Sequence, residues 1–460
     1  MKKLTALVLS LVLLFAVCTS AFAAGAKEAA PADGAKQKIV WTAYGYLSES
    51  KADRIKADFE AAYPQYEVEY IDLGSDDYLV RFDTMIASGE RVDMALAMDQ
   101  VEYNQRAKQG MFLPIESYVT KDGFDLQDAF GPGIKNAYVD GELYGLPYTK
   151  GGFYVFYNKD MFDAAGIAYP TDDWTWDDFE AIAKKLTTGT GASKVYGANV
   201  HMSWGYDIDT LPAQMLGWTP FKDANTANMD DPRLKSALEL WNRMQNVDQT
   251  IISLATFQAE QIGGRMPFSK GQAAMLLSNW WSATWFLNNK FGSTDGDKLL
   301  NFNIGVVNIP RGDKNTPNNL NSTDLDYYFA VPNTAKNPEG GALLSRFMIC
   351  EEWSKFGTLS SYRHQDVDEF MQKFVYYVDK DGAKHSLGYD EEFVTKVMGG
   401  WTQPISTYYG IDSMINPEGL AVIKDIFDQE RELYYFGEQT IDQTIKAMQT
   451  RSQAELDALK

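Results

Sequence analysis

Apolar positions along the chain change period in a regular order, with short continuous runs alternating with stripes at helical spacing. Ile39 to Ala43 is such a run and predicts a first strand. Residues 51–63 place Ile55, Phe59, Ala62 and Tyr63 on one helix face, with Ser50 as N-cap and Pro64 beyond the end. Val68 to Ile71 predicts a second strand. Tyr78, Phe82, Met85 and Ile86 predict a second helix, with Gly89 just past it, and Val92 to Met98 a third strand. Strands alternating with helices imply parallel pairing by right-handed crossovers. In such sheets ligands sit beyond the carboxyl ends of the strands. Those ends carry Tyr44 and Tyr46 after the first strand and Asp99 after the third.

The pattern changes over Gly141 to Ile167. Gly141 and Glu142 read as a tight turn, and Gly145-Leu146-Pro147 as a break, because proline fixes φ and lacks a backbone donor. Phe153 to Tyr157 is then apolar and aromatic throughout, the mark of a strand buried on both faces. Asn158-Lys159-Asp160 opens a short helix that Gly166 can end. This stretch is expected to carry the chain out of one sheet and into another, as a hinge between two lobes.

Beyond it, Thr175 to Asp178 is a capping box before a helix bearing Phe179, Ile182, Ala183 and Leu186. Asp231-Pro232 starts another helix, striped by Leu234, Ala237, Leu238 and Trp241. Between them His201 to Asp209 reads as an aromatic loop. Gly271 turns into a buried strand that ends at Ser278-Asn279-Trp280-Trp281, and Phe302 to Ile309 is one more strand. Residues 313–321 look like a loop returning to the first lobe, where Tyr328 to Val331 adds a strand before the helix at Asn337-Pro338. A last helix spans 438–457. The expected class is therefore α/β with two discontinuous lobes: 39–149 with 315–352, and 150–314 with 353–460.

The amino end adds an address. A positive start at Lys2 and Lys3, an apolar run from Leu4 to Val17 and the small residues Ala21 and Ala23 around Phe22 make a secretory signal over 1–23. The run is short for a membrane span, which needs about 20 residues. Cys18 leaves a lipoprotein anchor open as the alternative, and residues 24–38 read as a flexible tether. A periplasmic or membrane-tethered product follows. Cleavage after Ala23 leaves 40 basic against 63 acidic residues, a net charge near −23, which argues against nucleic acid or an anionic membrane as partner. Cys350 would then be the lone thiol, with no intrachain disulfide, and with three histidines a Cys/His zinc site is not expected.

Several pieces, in order, resemble the bacterial extracellular solute-binding proteins, the sugar-binding branch serving ABC importers. They are Tyr144-Gly145-Leu146-Pro147-Tyr148 with the following Tyr157-Asn158-Lys159-Asp160, Met85 to Gly89, Gly271 to Met275 with the tryptophan pair, Ile304 to Gly312, and Asn337-Pro338-Glu339. The resemblance implies a two-lobed clamshell of the type II-like periplasmic-binding-protein fold, without cofactor or metal. It implies closure on one small solute, delivery to a membrane permease and no catalysis, with a monomer expected. It further implies that Trp281 supplies a ring that stacks on sugar. Maltodextrin-binding members place a charged pair after the first strand where Gly45 and Tyr46 stand here, so the sugar stays open.

A sugar is held by aromatic rings over its C–H faces and by carboxylates or amides on its hydroxyls. That mixture recurs at sheet ends, giving Tyr44, Tyr46, Asp99, Trp204, Tyr206, Asn279, Trp280, Trp281, Asp324 and Trp401 as candidate ligand-binding residues. Trp280 and Trp281 cannot both face one core if the strand continues, because neighbouring side chains alternate. A non-sugar solute on the same fold and a secreted glycoside-active enzyme are the rival readings. Yet the chain has no G-x-S-x-G, H-E-x-x-H or Walker motif.

Overall fold

The computed structural model describes residues 35–43, 49–74, 77–97, 100–150, 152–262, 264–294, 296–316, 325–387 and 416–459. Nine strands of these residues build the two larger sheets. In chain order they are β1 (Gln37–Ala43), β2 (Tyr66–Asp72), β3 (Met94–Ala97), β4 (Gly145–Lys150), β5 (Phe153–Asn158), β6 (Asn199–Val200), β7 (Met275–Asn279), β8 (Ile304–Asn308) and β9 (Leu325–Ala330). The first sheet runs β2-β1-β3-β9-β4 and the second β8-β5-β7-β6.

In the first sheet β1 lies parallel to β2 and β3, as the alternating pattern predicts, with Trp41 opposite Tyr70 on one side and Met94 on the other. Strand β9 then pairs antiparallel with both β3 and β4. Helices α1 (Glu49–Ala62), α2 (Tyr78–Ala87) and α3 (Gln100–Lys108) connect or follow these strands. Helix α1 begins at Glu49, so Ser50 lies in its first turn and is not the N-cap expected from sequence. The segment Gly145-Leu146-Pro147 also differs from expectation. It is part of β4, where Pro147 faces Tyr328. β4 is the sheet's edge, and an edge strand tolerates a residue without an N–H.

Two residues later the chain is in the other sheet. All six residues of β5 are buried. Phe153, Val155 and Tyr157 enter one core with Met275, Leu277 and Val307, while Tyr154 and Phe156 enter another with Leu276, Ile304 and Val306. A strand covered on both faces has no polar side to display, which is why its sequence shows no alternation. Asn158 caps α4 (Lys159–Ala165) by accepting from Met161 N at 3.1 Å, and Gly166 ends it at φ 64°.

Helices α5 (Trp176–Leu186) and α6 (Pro232–Asn242) carry the caps read from sequence, a Thr175–Asp178 capping box and an Asp231 N-cap with proline at the first turn. With α10 (Pro417–Tyr435) and α11 (Ile441–Ala458) they cover one face of the second sheet; α7 (Ser282–Phe291) and α9 (Val367–Val375) cover the other. The first sheet has its own core, from Ile39 to Tyr148 and from Tyr328 to Trp353, to which α8 (Pro338–Phe347) contributes. Beyond it, Leu359 belongs to the core under α9, and its carbonyl accepts from Thr149 Oγ1 at 2.8 Å. Ser361 Oγ donates to the Pro147 carbonyl. The outgoing and returning crossover segments are thus bonded to each other.

Candidate functional site

Strand directions locate where a ligand could sit. β1 and β3 are parallel, β9 runs against them, and β4 runs against β9, so β4 leaves the first sheet at the carboxyl ends of β1 and β3. In the second sheet β6 and β7 are parallel and β5 is antiparallel to β7, with Phe153 opposite Asn279. The chain therefore enters the second sheet at the carboxyl ends of β6 and β7. The carboxyl ends of both sets of parallel strands thus lie at the level where the chain crosses.

An aromatic cluster occupies that end of the second sheet. After β6 the residues expected to form a loop fold into a short 3-10 turn, Met202–Trp204, and a helical turn, Tyr206–Asp209. The His201 and Trp204 rings stack with centroids 4.2 Å apart and planes 8° apart. Trp204 meets Trp281, at the end of β7, at 5.5 Å and 38°. Both indoles are only partly buried. The Arg265 guanidinium lies over Trp281 at 4.9 Å and over Trp285 at 5.4 Å.

The support beneath is polar and paired. Tyr206 N donates to Asp428 on α10 at 3.1 Å, and Arg431 reaches Asp428 at 2.8 Å and the fully buried Asp209 at 3.2 Å. Tyr435 OH donates to the same Asp209 carboxylate at 3.0 Å. Burial raises Asp209 to about 6 against the pull of Arg431. Burial, reinforced by Arg265, lowers His201 to about 4, so its ring is neutral at neutral pH.

The sequence candidates divide. Trp204 and Trp281 come together, and Asn279 is half-buried beside them at the end of β7, its Oδ1 accepting from Trp280 N. Trp280 is turned the other way, 7% exposed and packed on Phe374 of α9. Tyr206 is 4% exposed and packed edge-on against Phe427 of α10. Tyr44, Tyr46, Asp99, Asp324 and Trp401 lie outside the described residues. Sequence reasoning passed over Arg265 and Trp285. The spacing of Trp281 and Trp285, four residues apart at a helix start, is the signal that could have found the second. Arg265 had no local signal, since its partners are distant in sequence. Among the described residues no group of three or more His, Cys, Asp or Glu converges as metal ligands would. A separate cavity of about 390 Å³, lined by Asn158, Lys270, Lys298 and Asn301, lies at the opposite end of β5 from the aromatic cluster.

Residues 44–354 match the family model of the bacterial extracellular solute-binding proteins. The chain is a member of that family. Membership implies that this solute-binding protein takes a small solute and works with an ABC permease. Among solved structures, an ABC substrate-binding protein of Listeria monocytogenes in complex with cycloalternan aligns with a TM-score of 0.71 at 21% identity, over 92% of this chain and 99% of that one. A sugar transporter of Rhizobium etli in an open conformation aligns at 0.70 and 22%, over 91% and 99%. These likenesses make the fold a two-lobed periplasmic-binding-protein fold. An sn-glycerol-3-phosphate-binding periplasmic protein of Rhizobium meliloti is 30% identical over 182 residues, 38% of this chain and 41% of its own. The family and these relatives are binding proteins of transporters. No helix among the described residues is long and apolar enough to cross a membrane.

Proposed function

We propose that this solute-binding protein is the extracytoplasmic receptor through which an ABC importer collects a carbohydrate, a mono- or oligosaccharide. The observation that carries the reading is the partly open Trp204–Trp281 pair at the carboxyl ends of β6 and β7. Two indoles inclined to one another present apolar faces suited to a sugar ring. Tyr44, Tyr46, Asp99 and Asp324 adjoin the strands of the first sheet and would supply its side of the slot. The lobes would be 39–149 with 315–352, and 150–314 with 353–460. A sugar touching both lobes favours the closed form only by its differential affinity for the two states. The ligand-bound relative in Listeria supports the carbohydrate class. We place the receptor in the periplasm, or on the outer membrane face if Cys18 carries lipid.

Calorimetry against a panel of mono- and oligosaccharides tests the proposal, with saturable binding of at least one panel member as the expected result. Silence across the panel, together with binding of amino acids or polyamines, would end the carbohydrate assignment. Incubation with chromogenic glycosides separates receptor from enzyme: binding without turnover is expected.

A further inference from the structure

We infer that the saccharide carries an oxyanion, a carboxylate or a phosphate, and that Arg265 receives it beside the Trp204–Trp281 pair; this rests on the carbohydrate reading above.

Arg265 is held in place. Its Nε donates to Ser282 Oγ at 2.8 Å, and Ser282 shares a hydrogen bond of 2.7 Å with Ser278 on β7. Its guanidinium carbon lies over two indole rings. The preceding carbonyl, that of Gly264, accepts from the buried Asn199 of β6 at 2.6 Å. The guanidinium is therefore fixed to the same two strand ends that carry the aromatic pair.

What it lacks, among the described residues, is an acid. The chain has 63 acidic residues, and several of its other arginines pair with them. Arg106 faces Asp83, Arg431 faces Asp209, Arg91 faces Asp93 and Arg346 faces Asp122. Among the described residues no carboxylate pairs with Arg265. Of the five donors of a guanidinium, only Nε has a protein acceptor there. Burial with no compensating charge accordingly pulls its pKa down. His201 next to it is neutral near pH 7 and contributes no second charge. A guanidinium over indoles with only its Nε engaged keeps both terminal amino groups for a bidentate acceptor, the geometry that carboxylate and phosphate oxygens satisfy. Such a charge retained at the sugar-stacking surface of an acidic protein selects an acidic ligand, because the pairing is made only when that ligand arrives.

The test is titration calorimetry with matched pairs: galacturonate against galactose, digalacturonate against α1,4-galactobiose, and glucose 6-phosphate against glucose. Binding of the acidic member about ten-fold or more tighter than its neutral mate is expected, and the pair that shows it tells carboxylate from phosphate. Arg265→Gln should erase that preference while leaving weak neutral-sugar binding. Arg265→Lys should keep part of the preference, which separates lost charge from lost folding. If neutral sugars bind and their acidic mates are refused, the inference falls and the carbohydrate reading stands. If no saccharide binds but glycerol 3-phosphate does, the carbohydrate reading falls, and the anion assignment to Arg265 stands only where Arg265→Gln abolishes that binding and falls where it does not. Silence from every ligand overturns both.

Discussion

Trp204 and Trp281 meet at 5.5 Å with planes inclined by 38°, although 77 positions separate them in the chain. The adjacent Trp280 takes no part, being packed on Phe374. The two neighbours should therefore respond differently to truncation. Trp281→Ala should weaken the bound sugar by about 30-fold, in line with the roughly 2 kcal/mol carried by a central aromatic contact, with little change in melting temperature. Trp280→Ala should cost about 3–5 kcal/mol of stability, as large core truncations do. Denaturant melts and calorimetry on both variants check this, and unchanged affinity in the Trp281 variant would remove the pair from the site.

His201 makes stability depend on acid. Its folded pKa, about 4, lies below the ordinary value near 6.5. Between those values the unfolded chain takes up a proton that the folded chain refuses, so the contribution is present above pH 6.5 and lost as pH falls through 4. His201→Phe keeps a ring against Trp204 and removes the titration. Its melting temperature should fall less than that of the natural protein between pH 7 and pH 4. Parallel curves for the two proteins would contradict the assignment.

Asp93 joins the first sheet to the segment before α8. Fully buried, it accepts from Val40 N and Arg91 Nε at 2.8 Å, and from Lys336 N and Asn337 N at 2.8 and 2.7 Å. Asp93→Ala would leave four donors without their acceptor, one of them charged. A loss of about 3–5 kcal/mol is expected in urea unfolding, the scale for breaking one partner of a buried pair.

Cys350 should be chemically quiet. Burial pushes its thiol up to about 12, so the reactive thiolate is scarce at pH 8. Iodoacetamide should label it in denaturant and hardly at all in the folded protein, as mass spectrometry can read.

The fold was legible where one physical rule governed each element. The caps at Asn158, Thr175 and Asp231 and the glycine stop at Gly166 depend on local bonds, and all stand where the sequence puts them. The unbroken apolar run of β5 announced a strand enclosed on both sides. Pro147 misled, because whether a proline ends a strand or lies along an edge depends on neighbours contributed by distant β9. The site was half legible. Alternation would set Trp280 and Trp281 on opposite sides only if the strand continued, yet it ends at Asn279 and the chain turns into α7; the inward packing of Trp280 is decided by α9, some ninety residues on. Arg265 was illegible for the same reason: the indoles and the serine that hold it lie sixteen to twenty residues further along the chain.

Strand β9 occupies the middle of the first sheet, between β3 and β4, yet the whole stretch from 151 to 324 is synthesised before it. As the polypeptide emerges amino end first, β3 and β4 each wait with an open row of backbone donors and acceptors that no earlier segment covers. Closure of the first sheet consequently waits for β9. A product terminated after β8 would be a sticky fragment bearing two raw edges, not a smaller working receptor.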